Sequence, residues 1–169
     1  MKFMMSLLIY SFFGFLLERV INLIFLGSFY DNSVLVGPYQ PMYGLGVVLT
    51  LVFYKHFKHI FSTLHPLVSF LLFWVIATLF TGLSEFASGS LYEAFYGDRL
   101  WDYQSTFTIC NQPYVCFLPT SIFGLLALFT VIYIDPFVQR FQAKIPKTLT
   151  VILILIFIID YIYTYWGVL

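Results

Sequence analysis

The chain alternates long apolar runs with short polar clusters, and the runs are too long for the buried helices of a soluble domain. Five of them, about Phe3–Leu26, Pro41–Tyr54, Pro66–Phe86, Val115–Ile134 and Thr148–Trp166, predict transmembrane helices, since crossing a hydrocarbon core takes ~20 residues at a rise of ~1.5 Å each. The second is the shortest. It opens with Gly44 and Gly46, and it spans only if Tyr43 lies at one interface and Lys55, His56 and Phe57 at the other. The expected fold is an all-α, single-domain bundle of five transmembrane helices. Its longer polar connections are residues 27–40 and 88–114.

The distribution of basic residues orients that bundle. With the N-terminus inside, the inner face carries Lys2, Lys55, Lys58, Arg140, Lys144 and Lys147, whereas the outer face carries Arg99. Basic residues are retained on the cytoplasmic side, so the N-terminus is expected inside and the C-terminus outside. Both long connections then face outward, with Asp31, Glu93, Asp98 and Asp102 in them. Met1-Lys2 and the apolar run after it look like a signal peptide, but no small-residue cleavage site follows and the run continues through Glu18-Arg19; it reads as a retained helix.

Composition narrows the class further. Of 169 residues, 61% are hydrophobic and 9% charged, where a soluble domain needs roughly a quarter charged to face water on all sides. The mean hydropathy of +0.92 agrees. A formal net charge of zero gives nucleic acid no electrostatic foothold, and the 22% aromatic content suits a chain with many interfacial residues. A bacterial cytoplasmic membrane is the expected location and the lipid bilayer the first partner. Neither a phosphate-binding Gly-Lys-Ser/Thr loop nor a Gly-x-Gly-x-x-Gly string occurs, so nucleotide energy would come from another chain.

Ionisable groups within the spans are the sharpest chemical signal, because each is costly in lipid unless it faces a cavity or a partner. Counted from the inner end of its helix, Glu18 lies roughly 22 Å up, Asp160 roughly 18 Å and Glu85 roughly 28 Å, all in the outer half. Arg19, about 100° around the helix from Glu18, is placed to meet Glu85 or Asp160. Two readings stand: a structural ion-pair cluster that fixes packing, and an outward-facing polar pocket.

The string Gly37-Pro38-Tyr39-Gln40-Pro41-Met42-Tyr43-Gly44-Leu45-Gly46 combines rigid prolines, tyrosine hydroxyls and glycines that admit a neighbouring backbone. In the second outer connection, Phe95 and Trp101 flank the charged turn before Asp102 and Tyr103. That pattern suits a surface segment or a lid. Cys110 and Cys116 form a candidate disulfide if that side is oxidising, and two free apolar cysteines are the equal alternative. His56, His59 and His65 with Lys55 and Lys58 read as a basic collar at lipid headgroups rather than a metal site. No metal or other cofactor is expected, and no Ser-His-Asp arrangement is available because each His lies on the face opposite the acids.

Three blocks carry a family resemblance: Ser11-Phe12-Phe13-Gly14-Phe15-Leu16-Leu17-Glu18, the Gly-Pro-Tyr-x-Pro-x-Tyr-Gly string from Gly37 to Gly44 and on to Gly46, and Glu85 through Trp101-Asp102-Tyr103. With these, residues 10 to 135 resemble the bacterial CmpB-like, ABC-transporter type IV membrane proteins. The resemblance implies a transport-related subunit, and it implies neither a substrate nor catalytic residues. The leading expectation is therefore a non-enzymatic transport or substrate-binding subunit. Its pocket would be lined by Glu18, Arg19, Tyr39, Tyr43, Glu85, Trp101, Asp102 and Tyr103, with an ATPase, other membrane subunits or further copies of the chain as partners. Two alternatives belong to other classes: a membrane enzyme acting on lipid-linked substrates, with Glu18 or Glu85 as base, and a non-catalytic scaffold.

Overall fold

A computed structural model describes residues 2–27 and 33–166. Asp31, counted above among the outer acids, lies outside the described residues. The regular structure of the described residues is all helical, without strands: α1 Lys2–Leu26, α2 Pro41–Thr63, α3 Pro66–Tyr96, α4 Tyr103–Thr106, α5 Phe117–Phe129, a π-helical turn Thr130–Ile134, α6 Asp135–Gln142 and α7 Lys147–Trp166. Among the described residues, four stretches are long and apolar enough to cross a membrane: Lys2–Ile24, Pro66–Tyr96, Phe117–Gln142 and Lys147–Trp166. α2, at 23 residues, has the length. It is not among the four, because Lys55, His56, Lys58 and His59 fill its second half.

Helix limits depart from the hydropathy expectation at the polar ends. α3 does not stop near Phe86 but continues to Tyr96, where Gly97 at φ 70° closes it and donates its N–H to the Glu93 carbonyl. Hydropathy marks where hydrocarbon ends, not where the helix does. Gly97 supplies the left-handed residue that ends it. At the other end, His65 Nδ1 accepts the Leu67 N–H (3.3 Å) and Pro66 takes the first helical position, where a missing donor costs nothing. The π turn precedes Asp135-Pro136, and the Asp135 N–H reaches back to the Thr130 carbonyl. Pro136 has no N–H to continue the ladder, and the widened turn absorbs the mismatch.

The chain divides into two compact units, Met1–Gly44 with Val138–Leu169, and Leu45–Phe137. In the first, Met5, Leu8, Leu35 and Phe157 form a core, joined by Tyr39, Ile145 and Leu153. Tyr39 stands edge-on to Phe157 at 5.5 Å between ring centroids. The Gln40 N–H donates to the Ser11 carbonyl at 3.0 Å. Glycine is required at position 44, where a Cβ would fall 2.5 Å from the Leu7 carbonyl oxygen.

In the second unit, Leu51, Phe61, Phe73, Ala77, Leu128 and Val131 make the core. α3 and α5 approach along small residues. A Cβ on Gly124 would lie 2.6 Å from Thr78 Cα, and one on Gly82 3.1 Å from Thr120 Cγ2. Trp74 Nε1 donates to the Ser121 carbonyl across this seam at 2.9 Å. In lipid the apolar surfaces gain little by associating, so such close backbone approach and interhelical hydrogen bonds hold the pair.

Candidate functional site

Glu85 is 3% exposed. The seam between α3 and α5 explains how it is held. Thr120 Oγ1 donates to Glu85 Oε2 at 2.6 Å and accepts the Cys116 N–H at 3.3 Å. The Tyr103 hydroxyl donates to Oε1 at 2.8 Å. Both carboxylate oxygens are thus satisfied by neutral hydroxyl donors, one on a helix and the other on the segment that follows α3.

That segment, residues 97–116, is a compact cap. Asp102 is the N-cap of the short α4: its Oδ1 accepts the N–H groups of Gln104 (2.8 Å) and Ser105 (3.4 Å). Arg99 donates to Asp102 at 3.0 Å and to Glu93 at 3.1 Å. Loss of solvent raises the Asp102 carboxyl, but the Arg99 guanidinium and the two N–H donors outweigh it and leave the group below the usual carboxylate range. The same contacts, the Glu93 hydrogen bond foremost, hold Arg99 above its ordinary value.

Three donors of the stretch 101–104 read the backbone of 111–114. Tyr103 N–H meets the Pro113 carbonyl (2.8 Å), Trp101 Nε1 the Tyr114 carbonyl (3.3 Å) and Gln104 Nε2 the Asn111 carbonyl (3.0 Å). Cys110 and Cys116 are disulfide-bonded, with Cα atoms 5.2 Å apart, so the chain supplying those carbonyls is tied to the start of α5. Tyr114 donates its hydroxyl to Glu93 and lays its ring on Gly89, where a Cβ would fall 2.7 Å from Cγ.

Of the eight residues expected to line one pocket, the second unit brings Glu85, Trp101, Asp102 and Tyr103 into this single network. Tyr103 contacts the acid directly; Trp101 and Asp102 shape the cap. The other four belong to the first unit. Arg19 lies over the Phe15 ring at 4.4 Å, Glu18 is half-buried beside it in sequence, and Tyr43 packs on Gly14, while Tyr39 meets Phe157. Asp160 accepts the N–H groups of Val36 (3.1 Å) and Gly37 (2.8 Å). Those peptides supply the compensation that Arg19 was expected to give.

Sequence reasoning missed Thr120, Tyr114 and Asp135. Thr120 sits in an apolar run as one hydroxyl among many. Asp135, buried at the π turn, lies 3.5 Å from Lys55 Nζ, and its pairing across 80 residues leaves no local signal.

The family model described as "Putative ABC-transporter type IV" matches residues 5–165. The chain belongs to this family. No curated protein and no solved structure was found to match it. Membership in an ABC-transporter family, with four helices long and apolar enough to cross a bilayer, makes this a transport-related, multi-pass membrane protein. Glu85, Thr120 and the whole cap fall inside the matched stretch, as do Glu18, Arg19, Tyr39 and Tyr43.

Proposed function

We propose that the chain is a membrane subunit of an ABC-type transport system that engages its ligand from the outer side at the Glu85 site and is energised by an ATPase subunit. The observation that carries the reading is a buried carboxylate within a membrane-length helix, held by neutral donors and covered by a disulfide-closed cap. A carboxylate in such a place is costly without a cation, which marks functional positions in membrane helices. The cap supplies aromatic and charged groups directly above it, and a closing segment of this kind admits a ligand by lifting.

In this reading α2 is a fifth span, its ~34 Å length matching the hydrocarbon core, with its basic end in the inner headgroups. The N-terminus is cytoplasmic and the C-terminus external. A disulfide in the cap agrees with an oxidising outer side. Single-cysteine variants made in a Cys110→Ser/Cys116→Ser background and probed in intact cells with an impermeant thiol reagent test this: position 102 should label and positions 58 and 144 should not. The reverse pattern overturns the map.

The functional test is ATP hydrolysis by the protein reconstituted with an ATPase subunit encoded beside it. Glu85→Gln should abolish stimulation of turnover while the protein still inserts and folds, since the amide keeps shape and loses charge. Glu18→Gln, made separately, asks the same question of the first unit. Full turnover in the Glu85 variant would refute the assignment.

A further inference from the structure

We infer that Glu85 is a proton-exchange site, and that Tyr103 is the group whose hydrogen bond its protonation reverses. The inference rests on the proposed role of this site and names what occupies it.

Three observations carry it. First, among the described residues no cation reaches the carboxylate: its partners are the hydroxyls of Tyr103 and Thr120. Within its unit, the charged and titratable groups nearest in the fold are engaged elsewhere. Glu93, two turns further along α3, binds Arg99 and Tyr114, and Asp102 of the cap binds Arg99. α5, Phe117–Phe129, has no titratable side chain, and neither do residues 45–50 of α2, which meets α3 where Gly46 faces Thr81 and Ser84. A buried charge without a counter-ion neutralises by taking a proton.

Second, the helix seam beside the site is close-packed. The seam beside it is closed by Gly82 against Thr120 and Gly89 against Tyr114. A proton needs no volume.

Third, the donor inventory decides which arm responds. Both hydroxyls now donate, so a protonated carboxyl would set one O–H against another. Thr120 is fixed: its oxygen already accepts the Cys116 N–H, and Cys116 is covalently tied. Tyr103 belongs to a four-residue helix of the cap. When Oε1 takes a proton from hydronium on the outer side, the hydronium O–H bond breaks to leave water and the new O–H bond takes the carboxylate from −1 to neutral. The Tyr103 oxygen then changes from donor to acceptor, or leaves. Charge at Glu85 and the hold of the cap on α3 are coupled through that bond, beside the Glu93 contacts of Arg99 and Tyr114.

The test is infrared difference spectroscopy of the protein in lipid nanodiscs, between mildly alkaline and mildly acidic buffer. Wild type should show a carboxylic C=O band appearing on acidification. Glu85→Gln should lose it, while Glu93→Gln and Asp102→Asn keep it. Tyr103→Phe retains both the acid and the ring and should move the midpoint by about one pH unit, the equivalent of one charge-assisted hydrogen bond. If the Glu85 variant does not fold, the Tyr103 midpoint decides alone. A band that Glu85→Gln leaves intact, no band at all, or a Tyr103→Phe midpoint equal to wild type overturns the inference. Lack of ATPase stimulation leaves this test unaffected, because it reads a proton in the isolated protein.

Discussion

Replacing Thr120 by valine removes one hydroxyl and almost no volume, and so measures the bond that holds Glu85. The hydroxyl donates to the carboxylate at 2.6 Å and accepts the Cys116 N–H at 3.3 Å. A hydrogen bond to a charged group is worth about 1.5–3 kcal/mol in water-soluble proteins, and a stranded buried N–H costs about 1–3 kcal/mol more. Interhelical hydrogen bonds in membranes average only about 0.6 kcal/mol and reach about 1.7, because the unfolded helices also find partners. The carboxylate and the stranded N–H place Thr120 just above that range, so Thr120→Val should destabilise the protein by about 2 kcal/mol. Reversible unfolding in mixed detergent micelles followed by circular dichroism gives the number. A double-mutant cycle with Glu85→Gln separates the bond from other losses; the coupling should be about 1 kcal/mol, with the Cys116 N–H accounting for the remainder. A Thr120→Val loss under about 0.5 kcal/mol, within the usual spread for neutral substitutions, or strict additivity with Glu85→Gln, would refute the view that Thr120 supports the acid.

Gly124→Ala should cost about 1–3 kcal/mol by the same assay, since the new methyl meets the Thr78 backbone as well as its hydroxyl, and the backbone cannot swing aside; Gly46→Ala, whose nearest neighbour is Thr81 Cγ2 at 3.1 Å, should cost less, and equal losses would contradict the seam. Cys110→Ser/Cys116→Ser should lower stability by about 2 kcal/mol in the chain-entropy account of so short a loop and speed amide exchange at Tyr103 and Gln104; unchanged exchange would mean that the disulfide does not hold the cap. The folded-state pKa of Asp102 is depressed, so its contribution is present above the unfolded value of about 4 and is lost as pH falls through the folded value. Protection of the Ser105 amide should fall on acidification in wild type. Asp102→Asn keeps the N-cap and removes the charge, and should flatten that response.

Hydropathy along the chain was enough for the class and for four long apolar helices. Apolar runs of membrane length and a charge content far below what a soluble surface needs admit one solvent, and they place α1, α3, the Phe117–Gln142 stretch and α7 within a few residues of their observed starts. Glu85 and the Trp101-Asp102-Tyr103 string were legible as chemistry for the same reason: charge in an apolar helix is expensive and therefore conspicuous. Helix ends were not legible where a helix outruns the hydrocarbon, as α3 does to Gly97, because hydropathy reports solvent rather than backbone hydrogen bonding.

Pairing was decided only by the tertiary structure. Nothing local ties Thr120 to Glu85 across 35 residues or Tyr114 to Glu93 across 21, and the peptides of Val36 and Gly37 took the role at Asp160 that a charge argument had offered to Arg19. Hydrogen bonds go to whichever donor the packed backbone brings within about 3 Å. Which donor that is depends on how glycines let α3 and α5 approach, and that geometry belongs to two helices at once, not to either stretch of sequence.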